Sequence, residues 1–320
     1  MLHAILTSLS VLHPKQNFKI QVFNTCTILE FSNKKDIICM LYMVYMFIFG
    51  AFGTLMATFL GGFFSKLISN KRKEIFNFFQ NFSVGGIIAL LFFELIIEAI
   101  EHYQTGINND ALGALYTLLI IGGVGLLFFF MHEGLHCLSH HHEHDSNDDE
   151  ECVDHAHSTE VFKEKSLLLA SFIFLLAISV HNIPEGLSLG INFNVGDNSI
   201  PYQGIIMSVI LFIHNFLIGF TMCNSFIKSG KSFKFALSLT TISALPAFAL
   251  AICGYFISAI SINEIFLGSI FAISSGSLLY VLFIELLPQV FKEYKSKFTY
   301  LYILLGIILC GILLFSLGHH

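Results

Sequence analysis

Charge is scarce in this chain. Asp, Glu, Lys and Arg make up only 12% of 320 residues, against 55% apolar residues, more apolar surface than one water-soluble core can hide. That shortage excludes an ordinary soluble domain and places the chain in a bilayer. Basic residues are fewer than acidic ones and the net charge is -6, so the basic stripe that nucleic acid recognition needs is absent, and nucleic acid is not an expected partner. The seven cysteines are scattered, without the paired spacing of a disulfide framework or a thiolate zinc site. Most read as small packing residues. No short-period repeat is visible.

What the chain has instead is apolar runs long enough to cross lipid as helices. Eight are expected: 37–64, 75–100, 111–131, 167–191, 204–227, 235–260, 265–287 and 298–317. The expected fold is therefore an all-α polytopic membrane protein. Its parts are an amino-terminal extension (1–36), helices 1–3 (37–131), a His-rich loop (132–164) and helices 4–8 (165–317). This order is compatible with two inverted three-helix units flanking a central pair, a 3+2+3 plan met in transporters.

The sixteen Lys and Arg residues alternate from loop to loop. Lys66, Lys71, Arg72 and Lys73 follow the first run, Lys163 and Lys165 the third, Lys228, Lys231 and Lys234 the fifth, and Lys292, Lys295 and Lys297 the seventh. Loops 101–110, 192–203 and 261–264 have none. The positive-inside rule then puts both termini outside and the His-rich loop in the cytosol. The exception is the amino-terminal segment, with Lys15, Lys19, Lys34 and Lys35. Its apolar stretch 2–12 lacks a basic start and a clear small-residue cleavage site, so a loose or interfacial extension is expected rather than a cleaved signal.

A strongly polar side chain in mid-span costs about 2.5 to 3.5 kcal/mol, so each needs a partner or a use. The fourth run has SVHNIPEGLSLG, with His181, Asn182 and Glu185; the fifth has LFIHNFLIGF, with His214 and Asn215; the second has Glu94 and Glu98; the seventh has Glu285 near its cytosolic end. His181 and Glu185, four residues apart, stack on one helix face. Pro184 is expected to kink that helix and free the Val180 carbonyl. With His214 at a similar depth, two imidazoles and a carboxylate make a three-ligand set suited to zinc, and also to ferrous iron or manganese. The bland reading is a buried His–Glu pair that only locks two helices together.

HNIPEGLSLG resembles the fourth-helix signature of the ZIP (Zrt/Irt-like) family of divalent metal transporters, and HNFLIGF its fifth-helix counterpart. FSVGGIIALLFFELIIEA, with Gly85 and Glu94 nine apart, is similar to the second helix, and SSGSLLYVLFIELLPQV, from Ser274, to the seventh. The resemblance covers 37–317. It implies an uptake carrier, not an enzyme, that brings zinc, and iron or manganese as alternatives, into the cytosol. It also implies a homodimer in lipid, working as an elevator against a fixed dimer wall; the plasma membrane is the default location, with an internal membrane emptying into the cytosol as the alternative. Zinc is then cargo rather than cofactor, and the implied ligands are His181, Glu185 and His214, with Asn182 as a weaker oxygen ligand. Glu94 and Asn215 become candidate entrance or proton-linked groups. Ile218 and Ala247 stand where relatives place further carboxylates, and Ile97 replaces the second-helix proline, so one transported ion is expected. Glu98 and Glu285 read as helix-end or interface groups.

Eight histidines lie between Met131 and Glu160: His132, His136, His140, His141, His142, His144, His155 and His157. Amid so many acidic residues they cannot form a packed core. They suit a cytosolic metal buffer or sensor, or a solvated linker that binds metal incidentally. His132-Glu133-Gly134-Leu135-His136 matches the zinc-hydrolase pattern His-Glu-x-x-His, so the alternative function is an intramembrane zinc-dependent hydrolase. Gly134 should loosen the helix that such a site requires, and the histidines that follow compete for metal.

Overall fold

The computed structural model describes residues 34–69, 72–141, 155–193, 201–257, 263–293 and 298–318. Internal contacts set Met1–Met40 apart from one compact unit, Leu41–His320, and the expected extension 1–36 lies almost wholly outside the described residues. Every described element is helical. Among the described residues, seven helices are long and apolar enough to cross a membrane: α1 Met40–Ser69, α2 Lys73–Ile107, α3 Asp110–Gly134, α4 Leu167–Phe193, α5 Tyr202–Lys228, α6 Phe233–Ile257 and α7 Glu264–Lys292. An eighth apolar helix, α8, covers Thr299–Gly318, about 30 Å at 1.5 Å per residue. Most run past the apolar stretches by a few residues, because a helix continues into polar flanks while its backbone hydrogen bonds can still be made.

The same effect is largest at the His-rich segment. The third helix continues unbroken from Asp110 to His141 and the fourth begins at His155. Gly134, expected to loosen the helix, does not end it, because one glycine costs a helix only about 1 kcal/mol. Residues 142–154, with His142 and His144, lie outside the described residues.

Helix ends follow local chemistry. Asn108, in the left-handed region at φ 56°, closes α2, and the Asn109 side chain accepts from the Leu112 N–H at 3.0 Å to start α3. After α5, Gly230 takes φ 76°; its N–H donates to Ile227 O and that of Lys231 to Phe226 O, a Schellman close. Prolines mark irregularities. α6 is two helices, Phe233–Ile242 and Leu245–Ile257, parted just before Pro246, which has no N–H for the Ile242 carbonyl. In α7 a π-helical turn, Val281–Leu286, precedes Pro288, widening the ladder where that donor is missing. α4, by contrast, stays helical through Pro184.

The eight helices sort into two sets. α1 packs most heavily on α5 and α4 on α6, while α2 packs on α8 and α3 on α7. Glycines make these contacts backbone-close. A Cβ on Gly61 or Gly219 would overlap a carbonyl across the α1–α5 crossing; Gly186, Gly190 and Gly254 do the same for α4–α6, and Gly85 and Gly306 for α2–α8. Such approach is how helices associate in lipid, where burial of apolar surface gives little drive. Among the described glycines, none touches backbone across the seam between the set α1, α4, α5, α6 and the set α2, α3, α7, α8. At the seam Phe76 and Phe79 of α2 pack against Phe220 of α5, and hydroxyls of α7 donate to backbone carbonyls of α4.

Candidate metal site

His181 and Glu185 stand near the middle of α4, and His214 near the middle of α5; all three are buried. His181 Nε2 lies 3.2 Å from His214 Nε2. Glu185 Oε1 lies 3.1 Å from His181 Nε2 and 3.4 Å from His214 Nε2. With both rings neutral and protonated on Nδ1, the two Nε2 atoms and Oε1 present three lone pairs to one point, an arrangement that a cation between them satisfies. Their spacing suits zinc, since a tetrahedral ion with bonds of roughly 2.0–2.1 Å sets its ligand atoms about 3.3 Å apart. Among the described residues, these three side chains are the group of His, Cys, Asp and Glu whose ligand atoms converge closely enough to hold an ion.

A second layer of hydrogen bonds aims these ligands. Asn215 Nδ2 donates to Glu185 Oε2 at 3.4 Å and to the Leu211 carbonyl at 3.0 Å, while Asn215 Oδ1 accepts from the Thr58 hydroxyl of α1 at 3.5 Å. The Thr58 hydroxyl also has the nearer Thr54 carbonyl, at 3.0 Å, as an acceptor, so the Asn215 amide is the closer support of Glu185, bonding Oε2 and leaving Oε1 turned to the imidazoles. Asn215→Leu removes it at similar volume and should weaken zinc binding by roughly 10- to 100-fold, the usual cost of losing a partner that orients a metal ligand; titration of the purified protein with zinc checks this.

Asn182 is held by the break in α6. Its Nδ2 donates to the Ser243 carbonyl at 2.6 Å, in the turn ahead of Pro246. Its Oδ1 is buried and has no hydrogen-bond partner, so the amide is fixed with its oxygen free.

Other sequence candidates lie elsewhere or at the margin. Glu94 sits in a π-helical turn of α2, Leu91–Leu95, half-buried, with Oε2 enclosed and unbonded. Asn215, read from the sequence as an entrance or proton-linked group, is placed beside Glu185. Glu98 faces His102 at 3.5 Å, and His102 Nδ1 meets Glu264 at 2.7 Å, tying the ends of α2 and α7 together. Glu285 is buried in the π-helical turn of α7. His132 packs edge-on against Tyr280 and Glu133 is exposed; neither joins the converging trio.

Sequence reasoning did not single out Thr58, Ser243 or Ser274. Ser274 Oγ lies 3.0 Å from His181 Nδ1. The one signal for it was a run of hydroxyls, Ser274, Ser275 and Ser277, in an apolar helix.

Known proteins match this chain in the same region. The family model for the ZIP zinc transporters covers residues 40–317. The zinc transporter ZIP10 of Homo sapiens is 27% identical over 149 residues, 47% of this chain and 17% of the relative. ZIP10 of Mus musculus is 28% identical over 133 residues, 42% and 15%. ZIP10 of Danio rerio is 26% identical over 132 residues, 41% and 15%. The aligned part thus spans less than a fifth of these relatives.

Proposed function

The chain belongs to the ZIP zinc transporter family, and from that premise we propose that it carries a divalent transition-metal ion into the cytosol, zinc foremost, with ferrous iron and manganese as further cargo. The observation that carries this reading is the meeting of His181 Nε2, His214 Nε2 and Glu185 Oε1 within 3.4 Å of one another in mid-span. Three donors suit passage better than storage. A structural zinc site closes all four corners, whereas this one leaves a corner to water or to the free Asn182 oxygen. One carboxylate and two neutral imidazoles also leave the bound dication incompletely neutralised, which favours its departure.

An elevator movement is supported by the packing. Backbone-close glycine contacts join α1 to α5 and α4 to α6, and join α2 to α8 likewise, while none of the described glycines meets backbone across the seam between the two sets. The set with the metal site slides along the other, which a second copy of the chain braces as a homodimer in the plasma membrane. The basic loops face the cytosol, both termini lie outside, and the 3+2+3 order supplies the inverted repeats. Glu94 receives the ion or its counter-proton on the way. The His-rich segment, 132–164, collects the metal on the cytosolic side.

Purified protein in liposomes tests this, with zinc, iron, manganese and cadmium entry compared at two pH values. The expected result is saturable zinc entry above that of protein-free liposomes. No entry of any of the four ions, together with peptide hydrolysis dependent on Glu133, would transfer the chain to the hydrolase reading.

A further inference from the structure

We propose that Ser274 is a positioning residue of the metal site: from α7, across the seam, it presents His181 Nε2 to the ion, and it does so only while α4 stands at its present height against α7. This rests on the reading of His181, His214 and Glu185 as the site.

A histidine that binds metal through Nε2 has its proton on Nδ1, and that N–H needs an acceptor to hold the ring in place. In a dry mid-membrane setting water does not supply one. Ser274 Oγ does, at 3.0 Å from Nδ1, and it is completely buried. A hydroxyl has one proton to give and two lone pairs to receive with. With Nδ1 protonated, Ser274 Oγ accepts from it, and the carbonyl of His181 itself, 3.4 Å away, is the acceptor for the hydroxyl's own proton. Ser274 therefore grips one residue at two points, ring and backbone, and turns Nε2 toward Glu185 and His214.

The grip crosses the seam, which gives it a second consequence. Thr58, Asn215 and Ser243 lie in the same helix set as the metal site and travel with it. Ser274 lies in the other set. A displacement of α4 along α7 by one helical turn, about 5.4 Å, takes the ring out of its reach. Nδ1–H then loses its acceptor and the site its best geometry, so binding weakens once the ion has been carried away from this position.

The seam contains its own control. Ser277, one turn further along α7, shares its one proton between the Ser274 carbonyl at 2.8 Å and the Ala177 carbonyl of α4 at 3.2 Å, so it touches the same two helices without meeting an imidazole. The experiment compares Ser274→Ala, Ser274→Thr and Ser277→Ala in the full chain, by zinc titration in detergent and zinc flux in liposomes. For Ser274→Ala the expected result is about a 10-fold rise in dissociation constant and half-saturating zinc, with maximal flux within about two-fold of the parent. Ser274→Thr, which keeps the hydroxyl, should recover most of the affinity, and Ser277→Ala should leave it unchanged. Should Ser274→Ala fail to fold, the near-isosteric Ser274→Cys replaces it, with a smaller loss expected because a thiol is a weak acceptor. Parent-like affinity in these Ser274 variants, or an equal loss in Ser277→Ala, overturns the proposal. Parent-like affinity in His181→Ala would instead overturn the site on which it rests.

Discussion

Zinc flux into liposomes should fall by at least about 100-fold in His181→Ala and in Glu185→Ala, and stay at the parental level in Glu133→Gln. The bound is conservative, since losing a group that merely orients a ligand already costs 10- to 100-fold. Removing His181 leaves one imidazole and one carboxylate on a dication far from water, too few donors to replace its hydration shell. Removing Glu185 costs more than a ligand. Its carboxylate is the negative charge placed between the two rings, and without it a doubly charged ion would have no counter-charge in a low-dielectric interior. Glu133 is exposed on α3 and touches none of this. A thermal melt in detergent shows whether each variant is folded. Parental flux in His181→Ala would remove the site; loss of flux in Glu133→Gln would point to the His132-Glu133-His136 pattern.

The second large effect is on assembly. Gly219→Ala should destabilise the protein strongly and Gly123→Ala should not, though both exchange glycine for the better helix former. The new Cβ at Gly219 would overlap the Thr58 carbonyl of α1, an atom with no freedom to move, whereas at Gly123 it would meet nothing within 4 Å. Overpacking costs about 1–3 kcal/mol when side chains can give way, and a backbone carbonyl cannot, so the cost at Gly219 should exceed that range. Thr58 also holds Asn215, so parting α1 from α5 loosens Glu185 as well. Heating each variant in detergent and following the monodisperse peak checks the pair; equal midpoints would show that the α1–α5 crossing is not backbone-close.

Much of the candidate site was legible before any coordinates. HNIPEG put a histidine and a carboxylate one turn apart in an apolar helix, and the histidine of LFIHNFLIGF fell at the same depth of its own span. Lipid explains why: a buried polar group there is expensive, so the few present stand out. The partners that aim the ligands were not legible, because a serine or threonine in a membrane helix is cheap, satisfying itself on the carbonyl four residues back. Ser275 and Ser179 do only that, and the sequence does not distinguish them from Ser274.

The division has one physical cause. In hydrocarbon each backbone amide must be satisfied within its own helix, so the existence and position of a span depend on about twenty neighbouring residues, and the string of letters determines them. Contacts between helices depend on residues far apart in the chain: Ser274 and His181 are 93 positions apart, Thr58 and Asn215 157. Which polar groups meet, which carbonyl turns to Asn182, and which glycines lie against backbone rather than lipid were decided only by the packing of the eight helices, because each helix presents several faces and only tertiary structure selects the one that meets its neighbour.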